Sequence, residues 1–189
     1  MKTQSEALIR KAQRGETEAF QELVRKHDRK VLGLAYRMLG NQQDAEDVYQ
    51  EVFMQVYNNI RKFRFQSAFE TWLYRIVVNT AINYRRKRNR HLNRSVDILL
   101  SEDNASWDPA DHKPLPDRLI LNREIREQID RGLENLTLIQ RTIFVLRFYQ
   151  DFKIKDIAEI VSSSEGTVKN TLFRSIQKMR KQLTHFMQQ

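Results

Sequence analysis

The sequence predicts an all-α protein built as two small helical domains joined by an extended acidic linker, the second domain carrying a helix-turn-helix. Three observations carry that expectation. Glycine and proline are scarce, 5 and 3 in 189 residues, and apolar residues recur at helical spacings with no sustained strand-like alternation. All three prolines, Pro109, Pro114 and Pro116, fall within one short span. Charge divides at the same place: residues 1–91 hold 18 basic and 10 acidic side chains, residues 92–117 hold 2 and 6, and residues 118–189 hold 13 and 8. The expected division is a first domain over 1–92, a linker over 93–117 and a second domain over 118–189.

The first strong helical pattern begins at Thr17, with Phe20, Leu23, Val24, His27, Val31, Leu34 and Ala35 on its inner side. Gly40-Asn41 should end it, since glycine adopts the left-handed cap conformation at little cost. A second helix is expected from Gln42 or Gln43 to about Asn59, packed by Val48, Val52, Phe53, Val56 and Ile60. Asp44, Asp47, Glu51 and Gln55 run along another side of it. An acidic face stands out in a chain of net charge +9. It fits a partner surface, and it fits equally a solvated face whose first-turn acids favour the helix dipole.

Next comes Ile60-Arg-Lys-Phe-Arg-Phe-Gln-Ser-Ala-Phe-Glu-Thr-Trp-Leu-Tyr-Arg-Ile. Phe63, Phe65, Phe69, Trp72 and Tyr74 interleave with Arg61, Lys62, Arg64 and Arg75. Aromatic faces beside cations suit unpaired bases, which need stacking surface and phosphate neutralisation. Phe69, Trp72 and Leu73 serve a plain core equally well. Most of Phe69, Leu73 and Ile76 are expected to be buried, and Phe63 and Phe65, in an apparent loop, to be exposed. The helix continues into Asn83-Tyr-Arg-Arg-Lys-Arg-Asn-Arg-His, a basic run that suggests phosphate contacts.

In the second domain, Ile154, Ile157, Ala158 and Val161 form one apolar stripe, and Val168, Leu172, Ile176 and Met179 a second. Ser162-Ser163-Ser164 between them ends one helix and offers a hydroxyl cap for the next. With Lys169, Asn170, Arg174 and Lys178 off the packing stripe, the second helix is built like a recognition helix for the major groove. The other explanation is a helical hairpin with a solvated basic face.

A basic chain with a pI of about 9.9 suits a polyanionic partner. No apolar run approaches the roughly 18 residues of a spanning helix, so stable membrane insertion is not expected. Met1-Lys-Thr-Gln-Ser-Glu-Ala lacks the apolar core of a signal peptide, which suits a cytoplasmic protein. The absence of cysteine excludes disulfides and thiolate metal sites. His27, His91, His112 and His185 are scattered, and no metal-ligand spacing or phosphate loop of the Walker type occurs. No cofactor, metal or catalytic activity is therefore expected.

Taken in order, Tyr36-Arg-Met-Leu-Gly-Asn, Asp44-Ala-Glu-Asp-Val-Tyr-Gln-Glu-Val-Phe, Phe69-Glu-Thr-Trp-Leu-Tyr-Arg-Ile-Val-Val-Asn, the basic run, the linker and Gly166-Thr-Val-Lys closely resemble the extracytoplasmic-function group of bacterial sigma factors. The resemblance covers nearly the whole chain. It implies a sigma two domain over 1–92 and a sigma four domain over 118–189. It also implies core RNA polymerase bound through Asp44, Asp47, Glu51 and Gln55. The −10 element would meet Phe63, Phe65, Trp72, Arg75, Asn79, Arg85 and Arg86, with a flipped base received by the Phe63 to Ala68 loop. The −35 element would meet Glu165, Thr167, Lys169, Asn170, Phe173, Arg174 and Lys178. The helices around Leu133 to Phe148 would meet the polymerase flap, and an anti-sigma protein is a common partner in the group. One departure stands out: Thr171 and Ile176 replace arginines frequent in relatives, and Phe173 replaces a histidine. Two rivals stay open: a DNA-binding regulator that never joins polymerase, and a sigma mimic that titrates an anti-sigma protein. The first needs neither the acidic helix nor the aromatic-basic stretch; the second does not need the base-facing aromatics or the arginine run.

Overall fold

The computed structural model describes residues 2–94 and 128–187. The expected linker, apart from its first two residues, lies outside them. Among the described residues every regular element is helical. Helix α1 spans Lys2–Gln13, α2 Thr17–Leu39, α3 Gln42–Asn59 and α4 Phe69–Arg94, with a 3₁₀ turn at Ile60–Lys62. Residues 128–134 form α5, followed by α6 Leu138–Phe148, α7 Ile154–Ile160 and α8 Glu165–Met187.

The expected punctuation is in place. Gly40 caps α2 in the left-handed conformation at φ 74°, and its N–H bonds to Tyr36. Asn41 opens α3, its side chain accepting from the Asp44 N–H at 3.0 Å. Thr137 and Gln140 form a reciprocal capping box at the start of α6, which satisfies two donors the first turn leaves orphaned.

Helices α2, α3 and α4 pack as a three-helix unit around Val31, Leu34, Ala35, Met38, Val48, Val52, Val56, Leu73, Val77 and Val78, all fully buried. Of the expected inner face of α2, Phe20, Val24 and His27 are only half-buried. Phe69 and Ile76 are likewise half-buried, while Leu73 is enclosed as expected. A smaller cluster joins Leu8, Ile9 and Ala12 of α1 to Ala19, Leu23, Ile60 and Phe63.

The second unit packs α6, α7 and α8 around Ile143, Leu146, Ile157, Ile160, Val168, Leu172 and Met179. Gly132 of α5 lets Met179 come close, because a Cβ there would lie 2.9 Å from its thioether. The two units share one core: α6 lies against α2 and α7 against α4. Tyr74 of α4 donates a 2.8 Å hydrogen bond to Gln150, and its ring meets Phe152 edge-on at 5.0 Å. Arg141 of α6 is buried. It donates to the Leu133 carbonyl at 2.7 Å and across the interface to the Met38 carbonyl at 3.3 Å. Burial, and next the like charge of Arg85, hold its guanidinium below its usual basicity.

Candidate nucleic-acid interface

Helix α8 separates packing from contact along its length. Val168, Leu172, Ser175 and Met179 are buried, while Glu165, Thr167, Lys169, Asn170, Phe173, Arg174 and Lys178 are all exposed. Ser164 caps the helix as the serine run predicts: its hydroxyl accepts from the Thr167 N–H at 3.1 Å and lies 2.9 Å from the Thr167 hydroxyl. The sharp turn that delivers α8 runs through Ser162 at φ 52°. Phe173 is 61% exposed, a large apolar side chain on the outward face of α8. Lys178, one turn beyond Arg174, bends back to the Gln140 side chain at 3.2 Å, so it belongs to the margin of this face.

In α4, residues advance about 100° per position, which brings Trp72, Arg75, Asn79 and Arg86 onto one side. Trp72 and Arg75 are half-buried; Asn79 and Arg86 are exposed. Arg85 falls on the side that carries Tyr74, toward the second unit, and acts electrostatically on Arg141. The expected −10 set is thus split, with Arg85 turned away from the others.

The loop before α4 corrects one expectation. Phe63 is 6% exposed, not exposed, because α1 closes over it and three rings surround it. Its centroid lies 4.9 Å from Phe65, 5.6 Å from Phe69 and 5.3 Å from Trp72. Phe65 is half-buried and sits at φ 57°, a left-handed conformation that costs a residue bearing a Cβ on the order of 1–3 kcal/mol. Arg61, Lys62 and Arg64 around it are exposed. The loop therefore offers one strained, accessible aromatic on a buried aromatic base, ringed by cations.

On α3, Asp47 and Glu51 are exposed and Gln55 is half-buried, its amide donating to Glu51 at 3.0 Å. Asp44 is drawn to α4 instead: Arg88 pairs with it, and the Tyr84 hydroxyl bridges Asp44 and Asp47 at 3.0 Å each. Burial first, and then these two carboxylates, push the Tyr84 phenol well above its usual pKa. The sequence reading missed Met54 and Tyr57, 66% and 61% exposed beside this acidic stripe. Their signal was present as large apolar residues off the Val48-Val52-Val56 packing face.

Among the described residues no group of acidic or histidine side chains is arranged to hold a metal, and no helix is long and apolar enough to cross a membrane. The described residues form two helical units, a helix-turn-helix docked on a unit that bears an aromatic-basic loop. Residues 23–91 match the family model of sigma-70 region 2, and residues 126–179 that of sigma-70 region 4. The chain is similar to the RNA polymerase sigma-H factor of Pseudomonas aeruginosa, 35% identical over 184 residues, spanning 95% of this chain and 94% of that one. It is 33% identical to the sigma factor SigW of Bacillus subtilis, over 93% of this chain and 94% of that one. Among solved structures it resembles the sigma factor RpoE of Bartonella quintana, bound to the anti-sigma factor NepR (TM-score 0.74, 21% identity, 89% of this chain and 98% of that one). The protein belongs to the extracytoplasmic-function group of RNA polymerase sigma factors.

Proposed function

We propose that this sigma factor joins core RNA polymerase through the α3 face of Asp47, Glu51, Gln55, Met54 and Tyr57. Helix α8 reads the −35 element, and α4 with the 63–68 loop holds the melted −10 strand. The observation that carries the −10 assignment is Phe65. A partly buried phenylalanine in a left-handed conformation costs stability and persists where function uses it. A ring presented among Arg61, Lys62 and Arg64 suits an unstacked base and its phosphates. Holding that base favours the single strand over the duplex, so opening follows from differential binding.

The polymerase surface rests on charge and shape together. Asp47 and Glu51 supply electrostatic complementarity to a basic partner. Met54 and Tyr57 supply the exposed methionine and aromatic surface in which interface cores are enriched. On α8, Lys169 and Arg174 have donors for base edges or phosphates, and Phe173 has an apolar face for a thymine methyl. No step of this work is catalytic, and its place is the cytoplasm, with polymerase and promoter. An anti-sigma protein belongs to the same reading as a regulatory partner; RpoE, similar in fold, was solved with the anti-sigma factor NepR.

Run-off transcription with core polymerase over a promoter library tests the proposal. Transcripts that require both the added protein and a spaced pair of promoter elements are expected. Binding to DNA without any polymerase-dependent transcript would favour a regulator that acts alone.

A further inference from the structure

Helix α1 precedes the residues matched by the region 2 family model, which begin at 23, yet it is built into the loop that carries Phe65. The half-buried Gln13 amide nitrogen donates to two carbonyls at once: Ile60 at 2.9 Å and Phe63 at 2.7 Å. These bracket the 3₁₀ turn from which the loop departs. Three residues earlier on the same helix, the Arg10 guanidinium stands 4.6 Å over the Phe65 ring, held at its far side by Glu6 at 2.8 Å. Leu8, Ile9 and Ala12 anchor α1 from beneath. One helix thus fixes the backbone before the strained residue and covers the ring after it.

We propose that α1 is a working part of the strand-capture site, with Gln13 as its positioning residue; the inference rests on the base-capture role given to Phe65 above. A Phe65 ring at positive φ is useful only if the chain leading into it is held, because a relaxed loop would return to negative φ and carry the ring elsewhere. Two hydrogen bonds from one amide supply that hold without occupying the ring. Arg10 adds a cation on the approach to Phe65, where an arriving strand brings phosphate. It can leave the ring for the phosphate while keeping α1 in place, since the helix is anchored by Leu8 and Ile9 rather than by Arg10.

Gln13→Glu tests this with little change of shape. A carboxylate cannot donate to the two carbonyls and repels them. Holoenzyme formed with the full-length variant is compared with wild type on a promoter taken from the run-off library. Permanganate reactivity of the −10 thymines is the readout. Expected is a loss of open complex of about tenfold, the order set by two neutral hydrogen bonds, with −35 duplex binding unchanged. The same promoter is then made with a single abasic nucleotide at each −10 position in turn. At the position whose base Phe65 holds, wild type and Gln13→Glu should open to the same extent, because no base remains for the loop to position. A loss that persists undiminished at every abasic position, or full opening by Gln13→Glu, would overturn the assignment. Val31→Ala, in the α2 core outside the α1 cluster, is the packing comparison: it should lower the melting temperature while leaving opening intact below the melt. Equal losses in both variants that track their melts would reduce α1 to a packing element. If the wild-type abasic series shows no position that matters, base capture itself fails, a result distinct from failure of Gln13 alone.

Discussion

The Arg37 guanidinium of α2 lies 4.3 Å over the ring of Tyr149, just past the end of α6. Together with Arg141 on the Met38 carbonyl and Tyr74 on Gln150, it ties the helix-turn-helix unit to the first three-helix unit. Cation-π contacts at partly exposed sites contribute about 0.5–1 kcal/mol. Tyr149→Ala and Arg37→Ala should therefore each loosen the docked arrangement modestly, and the double variant should lose less than the sum. A double-mutant cycle from urea melts checks this. Additive losses would mean that the two side chains do not act on each other.

Charge reversal on α3 probes the polymerase surface. Asp47→Arg or Glu51→Arg should weaken binding to core polymerase by more than tenfold while far-ultraviolet circular dichroism stays unchanged, since both side chains are exposed. Asp44→Arg should lower stability more than Asp47→Arg, because both aspartates accept from Tyr84 but only Asp44 also pairs with Arg88. Unaltered affinity in a titration with either exposed variant would make the acidic stripe a solvated face.

Much of this was legible in the sequence, and the pattern of what was not is physical. The bounds of α2 and α3 follow from local signals, Thr17, Gly40 and Asn41, that act within a few residues. The recognition helix follows from Ser164 and the Val168-Leu172 stripe for the same reason. The burial of Phe63 was not legible, because it depends on α1 closing over it from some fifty positions away in sequence, with contacts from Gln13 to Phe63 and Ile60. Nor was the turn of Arg85 toward Arg141, which lies in the other unit. A basic run looks alike whether it faces DNA or a neighbouring domain. Leu8, Ile9 and Ala12 had helical spacing, but three apolar residues name no packing partner.

On α8, Lys169→Ala and Arg174→Ala should impair use of the −35 element more than the −10 element. A base-edge contact should cost about 1–3 kcal/mol and relax specificity at one position, whereas a phosphate contact should weaken all sequences alike. Lys178→Ala should do less than either, since its ammonium lies against Gln140. Competition binding with −35 duplexes substituted one base pair at a time separates the cases. Loss of neither affinity nor selectivity would displace α8 from the groove.

His27 gives a pH signature. Burial, ahead of any nearby charge, holds its imidazole below the ordinary value of 6.5, and its Nδ1 is buried without a hydrogen-bond partner. The unfolded chain then binds the proton more readily than the folded one. Stability should fall as pH drops through 6.5 toward the lower folded value, and recover above it. His27→Phe should flatten the part of that dependence not owed to other groups. Melting temperatures between pH 5 and 8 would show it, and an identical slope in the variant would assign the effect elsewhere.

Phe65 is where strain, exposure and charge converge, so permanganate footprinting of the Phe65→Ala holoenzyme tests the central claim most directly. Loss of base stacking should cost roughly 1–3 kcal/mol. Closed complexes should form at wild-type levels, −10 thymines should lose reactivity, and a promoter supplied already melted should recover part of the activity. A thermal melt run alongside should fall only slightly, because Phe65 packs on the margin of the cluster that Phe63 fills. Wild-type thymine reactivity in the variant would contradict base capture by this loop, and a collapsed melt with loss of polymerase binding would place Phe65 in the core.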